Sequence, residues 1–317
     1  MGDTVVVEAP ARLHFGLLDL RGSLGRRFGG IGAPAPAIGV RVSVSLADSL
    51  EASGEDADRA TEFARRFLHS YALGGGARIR VERAIPAHFG LGSGTQLALA
   101  VACALADLHG IRASPPDLAR AVGRAQRSAV GTWLFAHGGF VVEGGRRADD
   151  DRPGPLIARA SIPSTWRCVV VLPEAAPGMS GEAEAAAFAN LPLPDERDAE
   201  RVSHLVLMAM LPALGDADLA SFGKALTAVQ EINGRWFSHA QGGPYSAGHS
   251  ADIVRVMRES GAVGVGQSSW GPSVYAVVDS DVEASALMAR IRDRCGASVS
   301  MYAGAFSSEG ASITRSS

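Results

Sequence analysis

Lysine is almost missing from this chain. Of the 30 basic residues among 317, 29 are arginine and one, Lys224, is lysine. A phosphate loop of the Gly-Lys-Ser/Thr type is therefore excluded, because Lys224 stands in Phe222-Gly223-Lys224-Ala225. A Schiff-base mechanism would fall on this single residue. Cysteine is scarce as well. Cys103, Cys168 and Cys295 are odd in number and far apart, the pattern of reduced packing residues in a cytoplasmic protein. Neither sign of charge dominates: 30 basic against 33 acidic residues gives a net charge of −3 and removes the footprint of a nucleic-acid binder. Long apolar runs are also lacking. The longest, such as Leu97–Ala106, reach about half the length a bilayer requires. Met1-Gly2-Asp3-Thr4 has neither the basic region nor the apolar core of a signal peptide, so a cytoplasmic location without membrane contact is expected.

What is present is a globular composition, 47% hydrophobic and 20% charged, at a length that suggests two domains. Thr4–Glu8 reads as a short strand ending at Pro10, followed by apolar Leu13–Leu20. Ile38–Leu46 alternates with period two, a half-buried strand. Asp56–Tyr71 has helical spacing, with Phe63, Phe67 and Leu68 on one face. Ala77–Val81 and Arg83–Ile85 form a strand. Thr95–His109 is a helix with almost no polar face and must be buried. Asp117–Ser128 is predicted to be helical behind Pro115-Pro116, and Gly138–Gly145 to be a strand that turns. The polar stretch Arg146–Pro155 is a solvated loop near a domain boundary, dividing the chain into 1–160 and 161–317. The second half carries strands at Cys168–Leu172, Val274–Val278 and, last, Ser298–Tyr302. Helices are expected over Glu182–Ala189, Glu200–Leu211, Leu219–Ile232, Ser250–Glu259 and Val282–Arg294. This order fits an α+β class.

The densest chemical signal is Pro86-Ala87-His88-Phe89-Gly90-Leu91-Gly92-Ser93-Gly94-Thr95-Gln96, running into the buried helix. Glycines at a helix start let unpaired N–H groups approach an anion, and the helix dipole favours negative charge there. Phosphate can thus be held without lysine. Arginine forks bind phosphate or carboxylate bidentately, which makes Arg12, Arg26, Arg27, Arg124 and Arg127 candidates, each with a structural ion pair as the alternative. His14 and His88 are candidates to protonate a leaving group or bind phosphate. Trp270, beside Gln267, Ser268 and Ser269, offers a face for an aromatic ring, with core packing the alternative. Asp19 is the candidate to help hold magnesium, with a turn cap as the other reading.

The loop resembles the Pro-x-x-x-Gly-Leu-Gly-Ser-Ser-Ala phosphate loop of the GHMP kinase superfamily at Pro86, Gly90, Leu91, Gly92 and Ser93, departing at Gly94-Thr95-Gln96. Ala9–Gly16 looks like that superfamily's first motif, and Ala262–Pro272 like its late glycine motif. The resemblance implies a GHMP-kinase-like two-domain fold. Its N-terminal domain would be like the second domain of a small-subunit ribosomal protein, and its C-terminal domain ferredoxin-like. Kinases of the superfamily usually carry a magnesium-binding glutamate and an aspartate base beyond this loop. Here the stretch between Asp117 and Glu143 holds no carboxylate at all, which argues against ordinary phosphoryl transfer.

Within the superfamily, Arg12–Asp19, Gly25–Gly32, Gly92–Leu97, Gln241-Gly242-Gly243 and Gly266–Pro272 together resemble the β-ribofuranosylaminobenzene 5′-phosphate synthase family. That resemblance implies a decarboxylating phosphoribosyltransferase of methanopterin biosynthesis. Phosphoribosyl pyrophosphate and a 4-aminobenzoate or 4-hydroxybenzoate would condense, releasing CO2 and pyrophosphate. It implies Mg2+ carried with phosphoribosyl pyrophosphate, no organic cofactor, and a homodimer. On this reading His14, Arg26 and His88 are catalytic, and Gly90–Gln96 holds phosphate or pyrophosphate. Arg12, Arg27, Arg124, Arg127, Gln241, Gln267, Ser268, Ser269 and Trp270 bind substrate. An ATP-dependent small-molecule kinase and a non-catalytic phosphometabolite-binding protein are the alternatives the residues leave open.

Overall fold

The computed structural model describes residues 3–174, 178, 186–296 and 299–316. Two long antiparallel strands organise the first layer, β1 (Thr4–Asp19) and β2 (Arg26–Ala47). The break expected at Pro10 does not occur. Pro10 faces Gly39, and the register shifts between Pro10 and Arg12 and again between His14 and Gly16. Such bulges let the strand absorb a residue that lacks an N–H donor and re-aim the side chains that follow.

The sheet continues through β3 (Glu51–Gly54) and β4 (Gly76–Arg83), in the order β12-β1-β2-β4-β3, with only β3 and β4 parallel. Strands β5 (Phe140–Glu143), β6 (Arg146–Arg147) and β7 (Leu156–Ala160) extend it from the N-terminal half of β2. Helix α1 (Ala57–Ser70) buries Phe63, Phe67 and Leu68 as its spacing requires. Helix α2 (Ser93–Leu108) lies against β1 and β2 and is buried on nearly every side, the outcome its lack of a polar face demands.

Helix α3 (Pro115–Ala121) is shorter than the predicted Asp117–Ser128. Positive φ at Gly123 (+70°) and Ala125 (+59°) turns the chain out of the helix, so residues 123–128 form a loop. An unanticipated helix, α4 (Val130–His137), follows it.

The second sheet has the order β11-β8-β10-β9, built from β8 (Arg167–Leu172), β9 (Val263–Gln267), β10 (Val274–Val278) and β11 (Ser300–Gly304). Alternate residues of its strands serve two cores. Val169 and Val171 join α8 (His249–Glu259) and α9 (Asp281–Cys295) through Ile253, Met257, Leu287 and Ile291, while Cys168 and Val170 join the main core.

The expected helix Glu200–Leu211 is three pieces: α5 (Glu196–Leu205), a π-helical turn over Val206–Met210, and α6 (Leu211–Gly215). Of the helix expected over Glu182–Ala189, residues 182–185 lie outside the described residues. Helix α7 (Leu219–Gln241) runs well past Ile232 and reaches back to β1.

The strand expected last in the chain is followed by another. β12 (Ser312–Ser316) returns to pair antiparallel with β1, so the C-terminal residues belong to the first sheet and not to a unit spanning 161–317. The change of sheet itself falls between Ala160 and Arg167. Burial raises the thiols of Cys168 and Cys103, the latter to about 11, which suits packing residues and not thiolate chemistry. Among the described residues no helix is long and apolar enough to cross a membrane.

Candidate active site

Three segments distant in sequence converge on the carbonyl oxygen of Gly90. It accepts hydrogen bonds from Arg12 Nη1 at 2.7 Å and from Ser268 Oγ at 2.8 Å. Ser268 Oγ in turn accepts the backbone N–H of His14 at 3.0 Å, and the Arg12 N–H donates to the Leu91 carbonyl at 2.9 Å. The bulged strand, the glycine loop and the late glycine motif are thus one hydrogen-bonded junction. Gly90 has φ +78°, and a Cβ there would run into the Ser268 carbonyl. Gly92 caps α2 at φ +74°, with Arg12 Cγ standing 2.5 Å from where its Cβ would be.

The N-terminus of α2 that this loop presents is flanked by cations. Around Gly94, a Cβ would lie 2.7 Å from Arg59 Nη2 and 3.2 Å from Arg124 Nη2, and Arg124 Nη2 donates to Thr95 Oγ1 at 3.4 Å. The start of α2, with its dipole and two guanidinium groups beside it, can hold an anion. Arg59 escaped sequence reasoning because it lies in an amphipathic helix, where arginine reads as a solvated face; it pairs with Asp56 at 2.8 Å. Not every loop residue faces this site. Leu91 is core, and Gln96 is fully buried, its Nε2 bonding the Gly131 carbonyl at 2.9 Å to tie α2 to α4.

Beside the α2 start lies a cavity of about 190 Å3. Arg12, Arg124 and Arg127 line it, as do Phe28, Phe188, Phe237 and Trp270. The aromatic groups form one cluster: Phe188 and Trp270 have ring centroids 4.9 Å apart, Phe237 and Trp270 5.0 Å, and Phe28 and Phe188 6.1 Å. The Arg127 guanidinium sits 4.8 Å from the Phe188 centroid, so cation and ring face share one wall. Among the described residues no carboxylate lines the cavity.

An amide network closes the far side. Gln267 Nε2 donates to Gln241 Oε1 at 3.1 Å and to the Ser269 carbonyl at 3.0 Å, and its N–H donates to Gln230 Oε1 at 2.9 Å. Gln230 and Asn233 of α7 bond the Phe15 and Leu17 backbone, which fixes the bulged strand against the second half of the chain. The cavity residues missed in the sequence, Phe28, Ser128, Phe188, Gln230, Asn233 and Phe237, carry no local signal; each reads there as core or helix face.

His14 lines the cavity while only 6% exposed. Burial first, and the Arg12 charge second, hold its imidazole well below the usual histidine range, so it is neutral at pH 7. Its Nε2 lies 3.1 Å from Ser128 Oγ. Behind Ser128 stands Glu143, fully buried. Its Oε2 accepts the Gly145 N–H at 2.8 Å and its Oε1 the Ala129 N–H at 3.2 Å, and Ser128 also hydrogen-bonds it. Burial outweighs these bonds and pushes the Glu143 carboxyl up to about 7.

Other expected site residues stand outside this cavity lining. Arg26 Nη1 bonds the Gly145 carbonyl at 2.9 Å, and Arg27 Nε bonds the Leu20 carbonyl at 3.1 Å. His88 is an exposed loop residue at φ +64°. Ser268 acts through the Gly90 junction. Asp19 closes the turn after β1, with Oδ1 accepting the Arg21 and Gly22 N–H groups at 2.6 and 3.1 Å. Among the described residues no three histidine, cysteine or acidic side chains cluster as a metal cage.

The family model described as GHMP kinases N terminal domain matches residues 58–138, and that described as GHMP kinases C terminal matches residues 210–297. The chain is 35% identical over 297 residues to β-ribofuranosylphenol 5′-phosphate synthase of Methanothermobacter thermautotrophicus, covering 87% of this chain and 89% of that protein. It is also 35% identical over 288 residues to the protein of the same name from Archaeoglobus fulgidus, covering 87% and 88%. Among solved structures, homoserine kinase from Cytophaga hutchinsonii superposes with a TM-score of 0.74 at 19% identity, over 99% of this chain and 98% of that one, a likeness of fold.

Proposed function

The chain belongs to the β-ribofuranosylphenol 5′-phosphate synthase family, on a two-domain GHMP kinase fold, and from that membership we propose that it is a decarboxylating phosphoribosyltransferase. It joins phosphoribosyl pyrophosphate to 4-hydroxybenzoate, giving the ribosylphenol 5′-phosphate, CO2 and pyrophosphate. The relatives' names favour the hydroxy- over the aminobenzoate acceptor, since decarboxylative ribosylation of 4-hydroxybenzoate yields a phenol.

The observation that carries the reading is the composition of the cavity: three arginines and four aromatic side chains with no carboxylate among its described lining. Such a lining suits substrates that are anionic at several points and aromatic at one. The C1–O bond to pyrophosphate breaks, leaving an oxocarbenium-like ribose. The ring carbon that bears the carboxylate attacks C1, and the electrons of the C–CO2 bond then restore aromaticity. Arg124, Arg59 and the amides at the α2 start are assigned to the pyrophosphate or the 5′-phosphate. Arg127 is assigned to the benzoate carboxylate, and the Phe188–Trp270 pair to its ring. Arg12 orders the loop through Gly90 and adds its charge to the anion site. His14 is assigned to the acceptor hydroxyl, and Arg26, Arg27 and His88, which do not line the cavity, are given no contact in this reading.

Among the described residues no three histidine, cysteine or acidic side chains gather into a cage for a resident metal. A magnesium ion accompanying phosphoribosyl pyrophosphate belongs to that substrate, and no step is assigned to it. Incubation with phosphoribosyl pyrophosphate, Mg2+ and carboxyl-labelled 4-hydroxybenzoate tests the reading. Equal amounts of labelled CO2 and pyrophosphate are expected. ADP formation from ATP with no CO2 from either benzoate overturns it.

A further inference from the structure

Glu143 is the one fully buried carboxylate among the described residues. It comes from β5, behind the cavity wall, and connects to the cavity through Ser128 and His14.

The bonding of the Ser128 hydroxyl fixes the direction of this chain. A hydroxyl has one proton to donate. Val130 N–H donates to Ser128 Oγ at 3.3 Å, and an ionised Glu143 can only accept. Ser128 therefore spends its proton on Glu143, and His14 Nε2, 3.1 Å away, must carry a hydrogen and donate to Oγ. That leaves Nδ1 of the cavity-lining ring as a lone-pair acceptor. When Glu143 is protonated the logic reverses: Glu143 donates to Ser128, Ser128 donates to Nε2, and the hydrogen of the ring sits on Nδ1. The histidine tautomer is thus tied to the protonation of a carboxylate it does not touch.

We propose that Glu143, acting through Ser128, is the positioning residue for His14 and the proton store for the reaction at the cavity. The identity of the acceptor in this inference rests on the function proposed above. Burial and the neighbouring Arg12 both oppose an imidazolium at His14, so the ring passes a proton on instead of keeping it. As the acceptor ring attacks ribose C1, its hydroxyl proton moves to His14 Nδ1. In the same sequence the Nε2 proton moves to Ser128 Oγ, and the Ser128 proton moves to Glu143. His14 and Ser128 end neutral, Glu143 becomes a carboxylic acid, and the acceptor oxygen carries the electron pair that strengthens the para ring carbon as nucleophile. Once CO2 has left and the ring is aromatic again, the phenolate takes the proton back by the reverse route.

The groups around Glu143 leave it to this task. Gly30 faces it across β2, and Leu156 faces it from β7. Ala129 at the start of α4 and Gly145 in the following turn supply only backbone amides. The nearby cations bond carbonyls and not the carboxylate: Arg26 bonds Gly145, and Arg146 bonds Gln126 and Asp150. His14 on β1, with Arg12 beside it, is the titratable group it reaches.

The test needs two readouts on the full chain. In 15N-histidine-labelled protein, with His14 assigned by its loss in His14→Asn, the ring is expected to switch from the Nδ1–H to the Nε2–H tautomer as pH rises through about 7 while staying uncharged. The switch should be absent in Glu143→Gln and in Ser128→Ala. In turnover assays both variants should lower kcat for 4-hydroxybenzoate about 100-fold or more, with the KM for phosphoribosyl pyrophosphate within about 3-fold of the parent. The acidic limb of the kcat profile should be lost in Glu143→Gln and restored in Glu143→Asp. A tautomer that ignores pH, or variants that keep both kcat and the limb, overturns the relay. A wild-type tautomer switch without any CO2 release overturns the proposed function and leaves the relay standing. Ser128→Ala, which only removes an oxygen, serves if Glu143→Gln does not fold.

Discussion

The guanidinium of Arg12 reaches across to the glycine loop and donates to the Gly90 carbonyl at 2.7 Å. This bond ties a strand residue to the shape of the glycine loop, because the same carbonyl is shared with Ser268. Replacing Arg12 with lysine keeps the charge but loses the planar fork. Arg12→Lys should raise the KM or Kd for phosphoribosyl pyrophosphate about tenfold with little change in thermal stability, as read by titration calorimetry and a melting curve. Gly92→Ala is the harsher change. It places a Cβ at φ +74° and against Arg12 Cγ, and should cost about 1–2 kcal/mol of stability as well as loop affinity.

The aromatic wall predicts the opposite selectivity. Phe188 and Trp270 have ring centroids 4.9 Å apart in the cavity wall and offer a ring face and no anion-binding group. Trp270→Ala or Phe188→Ala should raise the KM for 4-hydroxybenzoate about fivefold or more while the KM for phosphoribosyl pyrophosphate stays within about twofold, since a ring contact is worth about 1 kcal/mol beyond its area. Steady-state kinetics with each substrate varied in turn decides this. Equal effects on both constants would place the aromatic cluster in the core instead of the acceptor site.

These two ends of the cavity were not equally legible in the sequence. The glycine loop and its helix stand out because Ser93–Leu108 has no polar face to turn to water, so burial and an anion-binding start follow from local pattern alone. The long first strand was hidden because Pro10 reads as a strand end, whereas the fold carries the strand past it with a bulge. Helix α4 was hidden because its apolar residues surround it without a period. The Glu143–Ser128–His14 chain has no signature in one dimension: His14 lies more than a hundred residues from its partners, and Glu143 in a short strand is ordinary until its burial is known. Asp117 and Glu143 could be seen to bracket a carboxylate-free stretch, but not that one of them folds back behind it.

The near-absence of lysine becomes a direct test. Lys224 is exposed on α7 and is not among the cavity residues. Lys224→Arg should leave kcat and both KM values within about twofold of the parent, and borohydride in the presence of substrates should trap no adduct, as mass spectrometry would show. A trapped adduct at Lys224 would demand a Schiff-base route that the arginine-lined cavity does not suggest.

Stability against pH follows from the same buried pair, with opposite signs. Glu143 has its folded value raised from 4.5 to about 7. The folded state then holds a proton that the unfolded state gives up, so its contribution is fully present below about 4.5 and is lost as pH rises through about 7, roughly 3 kcal/mol across that interval. His14 has its folded value lowered below 6.5. Its contribution is present above 6.5 and is lost as pH falls through the lower folded value. Between pH 6.5 and 8 only the Glu143 change operates, and the melting temperature of the parent should fall there. Glu143→Gln should flatten that fall, so that the variant loses stability relative to the parent at pH 5 and recovers it by pH 8. Melting curves at half-unit pH steps for the two proteins measure this, and parallel curves across the whole range would show that folding leaves the Glu143 carboxyl at its ordinary value.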